Sequence, residues 1–197
     1  MTRPEIIGSE RSTYTRVVRM VCEEKGIDYD LTEALLGAAE IRALHPFGKM
    51  PVLRHGDLVL CESKAIATYL DRRFPGPAVF PSDPHLAALT EQWVSFVNTS
   101  VDRTLIRTYL FAYIVPKGPD GTPDRAVAAT GHLVGGEFSF ADINLLPILF
   151  YIRQTPEGGE ALAGAPHLSA YYDVHAARPC FARTVPPVGP PRRTTPN

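Results

Sequence analysis

The chain has 197 residues, 45% apolar and 21% charged, with 20 basic and 21 acidic side chains and a formal net charge of −1. That balance suits an ordinary globular protein and makes no electrostatic case for nucleic acid or an anionic membrane as partner. No apolar run reaches the ~20 residues of a membrane helix, and the opening MTRPEIIGSER lacks a signal peptide's apolar stretch, so a cytoplasmic protein is expected.

In chain order, Glu5–Gly8 (EIIG) is a short strand and Ser9–Thr13 a polar turn. From Thr15 the pattern is helical: Val17, Val18, Val21 and Cys22 recur on one face, with Arg16, Arg19, Glu23, Glu24 and Lys25 on the other. Gly26 ends that helix, because only glycine enters the left-handed conformation without steric cost. Ile27–Leu31 alternates as a second strand, and a short helix is expected over Ala39–Leu44. Met50–Leu53 and Leu58–Cys61 are two strands about the turn at His55–Asp57. Glu62–Phe74 is an amphipathic helix with Ile66, Tyr69, Leu70 and Phe74 on one face. This order predicts a thioredoxin-like α/β sheet with helices on both faces.

FPGPAVFPSDP, with Pro75, Pro77, Pro81 and Pro84, predicts a linker. Beyond it the strand pattern stops. His85–Val115 is predicted as a long helical stretch, Pro116–Pro123 as a loop and Ser139–Tyr151 as a helix. PPVGPPRRTTPN, from Pro186, is too rich in proline for a helix and is expected extended over the surface or disordered. The expected division is a thioredoxin-like domain over 1–75, a linker over 76–84, an all-helical bundle over 85–185 and a tail over 186–197.

Three cysteines, Cys22, Cys61 and Cys180, are widely spaced without CxxC, and the six histidines show no ligand spacing. Neither a disulfide framework nor a metal site is expected.

Four segments together resemble the glutathione transferase superfamily over nearly the whole chain. Arg11–Arg19 (RSTYTRVVR), running into EEKG, is similar to the loop and first helix of its serine-type, phi- or zeta-like members. The resemblance places Ser12 beside the glutathione sulfur. A free thiol has a pKa of ~8.5, so little of it is thiolate at neutral pH. A hydroxyl donor at the positive end of a helix favours the anion. Lowering the pKa by two units asks for roughly 2.7 kcal/mol, within reach of a charge-assisted hydrogen bond and the helix end. The competing reading of Ser12 is a helix cap. Tyr14 competes with it for the sulfur, or else forms part of the pocket wall.

His45–Leu53 (HPFGKMPVL) resembles the family's NPFGKVPVL, with His45 in place of Asn. The resemblance implies a cis Pro51, Met50 backbone groups pairing with the tripeptide as an added strand, and Lys49 on the glycyl carboxylate. Leu60–Leu70 (LCESKAIATYL) resembles the family's ESxAI helix start. Glu62 and Ser63 would then hold the γ-glutamyl ammonium and carboxylate, the latter at a helix N-terminus; both residues also suit simple capping. Gly136–Ile143 (GEFSFADI) resembles the family's structural capping box, Ser139 with Asp142.

The resemblance implies a glutathione S-transferase that acts in detoxification without a metal and joins the glutathione thiolate to a hydrophobic electrophile. It also implies a homodimer. A glutathione-dependent isomerase or reductase, or a non-catalytic binding module, is the alternative; reductases usually carry cysteine where Ser12 stands. The electrophile pocket is expected between Tyr14 and the helix bearing Arg107, Tyr109, Phe111 and Tyr113. The chain is shorter than the family pattern between Leu31 and Ile41 and between Ala126 and Gly136. The first gap leaves open which basic residues meet the glycyl end, and the second the helix count of the bundle.

Overall fold

A computed structural model describes residues 2–101 and 130–187. Arg107, Tyr109, Phe111, Tyr113 and the loop expected at Pro116–Pro123 lie outside the described residues.

The first unit runs β1 (Glu5–Ile7), α1 (Thr13–Lys25), β2 (Asp30–Thr32), α2 (Ala39–Leu44), β3 (Val52–His55), β4 (Leu58–Cys61) and α3 (Ser63–Arg73). The sheet order is β2-β1-β3-β4. β1 pairs parallel with β2 (Ile6 opposite Leu31) and antiparallel with β3 (Ile6 opposite Leu53). β3 pairs antiparallel with β4. This is the thioredoxin-like arrangement.

Two strands start later than expected. The second strand begins at Asp30 rather than Ile27, because the chain is still closing α1. Gly26 takes a left-handed φ of 66° and Ile27 N–H donates to Cys22 C=O at 2.8 Å. Only at Asp30, whose N–H donates to Pro4 C=O at 3.0 Å, does pairing with the sheet edge begin. The third strand begins at Val52, not Met50, and the Met50–Pro51 peptide bond before it is cis.

The second unit is helical: α4 (Pro84–Phe96), α5 (Phe140–Arg153), α6 (Pro156–Ala163), α7 (Pro166–Ala176) and α8 (Pro179–Ala182). Of the stretch expected from His85 to Val115, the helix runs to Phe96, and a wider turn continues over residues 97–101. Among the described residues no helix is long and apolar enough to cross a membrane.

α1 lies at the centre, against α3 on one side and α5 and α8 on another. Its apolar face (Val17, Val18, Val21, Cys22) is buried as the pattern predicts. Its polar face is largely covered too: Arg16, Arg19 and Lys25 are buried and Glu23 and Glu24 half-buried, with Arg16, Glu23 and Glu24 meeting the helical unit. Arg178 pairs with Glu24, Arg183 with Glu23, and Arg16 reaches the Phe181 carbonyl. The charges on that face serve as the contact surface between the two units.

The proline-rich linker is pinned at both ends. Asp71, on α3, accepts both the Lys25 ammonium (3.0 Å) and Val79 N–H (2.9 Å), and Lys25 also donates to Pro77 C=O at 3.0 Å. Val79 C=O accepts from Phe140 N–H (2.7 Å) and Phe80 stacks on Phe140, tying the linker to the start of α5. There Ser139 and Asp142 form the capping box. Asp142 is fully buried and also accepts from Leu133 N–H (2.9 Å) and the Tyr171 hydroxyl (3.0 Å).

Candidate functional site

A cleft of about 1330 Å³ opens between the sheet unit and α5. Typical small-molecule pockets hold ~300–1,000 Å³, so there is room for a tripeptide and a second molecule.

One wall is the start of α1. Gly8 ends β1 where an added Cβ would meet Thr15 Oγ1 at 2.5 Å, so the loop after it runs tight against the helix. Ser12 is the N-cap. Its Oγ accepts from Thr15 N–H at 3.3 Å, using a lone pair and leaving its own proton uncommitted. Ser12, Thr13 and Tyr14 all line the cleft. Tyr151, from α5, donates from its hydroxyl to Arg11 C=O at 2.6 Å and so ties the loop to the helical unit just before Ser12.

The floor is Met50 and Pro51, with Met50 Sδ receiving Ser9 N–H at 3.2 Å. Lys49 stands beside them on the cleft. So does Arg42, from α2, whose chain lies so close to Gly48 that a Cβ there would meet its Cγ at 3.3 Å. Two basic residues therefore stand at this end, one of which, Arg42, the sequence patterns left unmarked.

The opposite end is the β4-to-α3 corner. Glu62 has φ 69°, a conformation that costs a non-glycine residue about 1–3 kcal/mol and persists where the surroundings impose it. Its side chain makes no capping hydrogen bond and stays exposed on the cleft, against the simple capping reading of this residue. Ser63 opens α3, buried, among the unpaired N–H groups of the first turn. His45 is buried behind Glu62. Its Nδ1 accepts Phe47 N–H at 3.0 Å, which leaves Nε2 to carry the proton toward Glu62 Oε1, 3.6 Å away.

The far wall comes from the helical unit and the chain beyond α8: Asn98, Phe150, Tyr151, Gln154, Val185, Pro186 and Pro187. The start of the proline-rich segment thus lines the cleft. The sequence carried no signal for these residues, since aromatics at the end of an apolar helix look the same whether they fill a core or a wall.

The three cysteines do not line the cleft. Burial holds the Cys22 thiol far up, pushes Cys180 up to about 12, and raises Cys61. No cysteine is set up as a thiolate nucleophile. Burial also raises Tyr151, which stays a neutral hydroxyl donor at neutral pH. Among the described residues no group of three or more His, Cys, Asp or Glu could hold a metal ion.

Of the site residues expected from the sequence, the seven among the described residues, Ser12, Tyr14, Lys49, Met50, Pro51, Glu62 and Ser63, line this one cleft. Comparison with known proteins is consistent with that geometry. Residues 6–78 match the glutathione S-transferase N-terminal domain and residues 83–174 the glutathione S-transferase C-terminal domain. Glutathione S-transferase 3 of Zea mays is 33% identical, covering 88% of this chain and 90% of its own. Glutathione S-transferase 1 of Triticum aestivum is 26% identical, covering 93% of each. A glutathione S-transferase of Methylobacillus flagellatus, solved with glutathione bound, superposes with a TM-score of 0.79 at 25% identity, covering 93% of this chain and 99% of that one. With both domain signatures in order along its length, the chain belongs to the glutathione S-transferase family.

Proposed function

We propose that the protein joins the thiolate of glutathione to a small electrophile, as a transferase with no covalent enzyme intermediate. The observation that carries this is the convergence of Ser12, Met50–Pro51 and Glu62–Ser63, from three distant stretches of chain, on one cleft.

Glutathione is a zwitterion at one end and a carboxylate at the other. In this reading the Glu62 carboxylate takes the γ-glutamyl ammonium, with His45 behind it holding its orientation. Ser63 and the N–H groups opening α3 take the adjacent carboxylate. The extended middle of the tripeptide lies along Met50. Lys49, with Arg42, takes the glycyl carboxylate; both line that end of the cleft, after the short segment that follows Leu31.

The sulfur then reaches Ser12. The hydroxyl proton, not committed to the helix cap, points to the sulfur, and the positive end of α1 adds to it. The thiol proton leaves to water. The thiolate attacks the electrophilic carbon, a C–S bond forms, and the leaving group departs with its electron pair. The enzyme contributes alignment and a stabilised anion. Phe150 and Tyr151 face Ser12 across the cleft and suit a flat apolar acceptor, with Tyr14 on the near side.

Domain limits at 1–75 and 85–185, a cytoplasmic setting, a role in detoxification and a homodimer belong to the same proposal. Leu35, Leu36 and Phe47, on either side of α2 in the sequence and at the cleft, are exposed apolar residues that a second copy could cover.

The test is turnover of a chlorodinitrobenzene with glutathione. The proposal expects saturable conjugation in the wild type and, in Ser12→Ala, a much lower kcat at little cost to glutathione binding. Retention on immobilised glutathione with no turnover of any aryl halide, epoxide or enone would instead leave a binding module.

A further inference from the structure

Arg16 is fully buried and, among the described residues, has no carboxylate partner. The other buried cations of α1 do have one: Arg19 stands 3.7 Å from Glu10 and Lys25 3.0 Å from Asp71. The Arg16 guanidinium lies between the rings of Phe150 and Phe181, 4.4 and 4.1 Å from their centroids. Its Nε donates to Thr184 Oγ1 and its Nη2 to Phe181 C=O, both at 3.3 Å, while Nη1 is buried with no partner.

The titratable groups facing it are Arg19 on α1, Tyr151 on α5, Tyr172 on α7 and Cys180 on α8. Burial raises the last three, so each is neutral at neutral pH. The α1 acids Glu23 and Glu24 are taken by Arg183 and Arg178. Desolvation lowers Arg16 to about 10, which still leaves it charged at neutral pH. A buried cation without an anion is costly, and two neutral acceptors and two ring faces offset only part of that cost.

The missing anion has a place. Arg16 N–H donates to Ser12 C=O at 2.9 Å, one helical turn on. Phe150, which covers one face of the guanidinium, lines the cleft, as does Val185 beside Thr184. The cation therefore sits behind Phe150, on the cleft wall that faces Ser12, and one turn of α1 from Ser12 along the backbone.

We propose that Arg16 is the buried counter-charge for the glutathione thiolate, lowering the bound thiol's pKa through its field across Phe150 without touching the sulfur. This rests on the reading of Ser12 as the sulfur's hydrogen-bond donor. Exposed Arg42 and Lys49 and half-buried Arg11 and Lys64 also line the cleft, but water reaches and screens all four, whereas aromatic rings screen Arg16 little. The coupling is reciprocal: a thiolate at Ser12 stabilises the Arg16 charge as much as Arg16 stabilises the thiolate.

Arg16→Met keeps the stem and removes the charge; Arg16→Lys keeps the charge. The readouts are the pH profile of kcat/KM and the ultraviolet absorbance of bound thiolate. Arg16→Met is expected to raise the bound thiol pKa by about one unit. Its rate should then be about tenfold below wild type at low pH and converge with wild type at alkaline pH. Arg16→Lys should keep a near-native pKa. An unmoved pKa in Arg16→Met, or a rate depressed equally at every pH, would make Arg16 a packing brace and overturn the proposal.

The wild-type protein gives a second test that no folding defect can obscure. The Arg16 Nε–H resonance should follow the thiol titration with glutathione bound but not with S-methylglutathione; identical behaviour with the two overturns the proposal. Ser12→Ala in parallel separates the two readings. If its thiol pKa is unmoved, the Ser12 reading fails. If it moves while that of Arg16→Met does not, only the role of Arg16 fails.

Discussion

Ser12 Oγ uses a lone pair to accept Thr15 N–H and keeps its proton for another partner, so cap and sulfur donor are compatible roles of one side chain. Losing the cap costs ~1 kcal/mol, which would not explain a large loss of rate in a protein still folded. Glu62 shows the opposite economy. Its φ of 69° suits glycine, and among the described residues its side chain makes no capping hydrogen bond and pairs only with His45, at 3.6 Å. Glu62→Gly is therefore expected to raise stability by about 1 kcal/mol in urea unfolding while weakening glutathione binding at least tenfold. A variant that is both less stable and equally tight in binding would show that the corner is structural and that the ammonium goes elsewhere.

At the scale of elements, α1 carries information on both faces, and only one was legible. The spacing of Val17, Val18, Val21 and Cys22 and the stop at Gly26 placed the helix and its end. The sequence placed charges on its other face without showing what would meet them. Arg16, Glu23 and Glu24 are met by α5 and the chain around α8, far along the sequence, and a local pattern cannot show what a distant helix will cover. The same limit explains the site. Ser12, Met50–Pro51 and Glu62–Ser63 sit in short stretches with fixed local chemistry, whereas Phe150, Tyr151 and Pro187 become wall residues only through packing.

The linker makes a separate test possible at this scale. Asp71 holds buried Lys25 and, through Val79, the chain that joins the two units. Asp71→Asn leaves a buried ammonium short of its partner and should cost ~3–5 kcal/mol. Urea unfolding should show that loss, with earlier proteolysis near Pro77. A change below ~1 kcal/mol would mean the pair is a surface-like contact.

Across the whole molecule, the sheet unit supplies one side of the cleft and the helical unit the facing wall, so the proposed activity needs both units docked through α1. The proposed dimer adds a further layer. Phe47 and Leu36 both leave most of their apolar surface in water. Phe47→Ser should shift light scattering from about twice 21.6 kDa to 21.6 kDa. A wild type that is already monomeric at micromolar concentration would contradict the dimer. The central claim is that this cleft holds glutathione as a thiolate donated to by Ser12, and its most direct test is the thiol pKa of bound glutathione. Ultraviolet titration of the wild-type complex should give a value well below the ~8.5 of a free thiol, and Ser12→Ala should return it most of the way. A bound thiol with an unshifted pKa, or a lowered one indifferent to Ser12→Ala, would contradict the account.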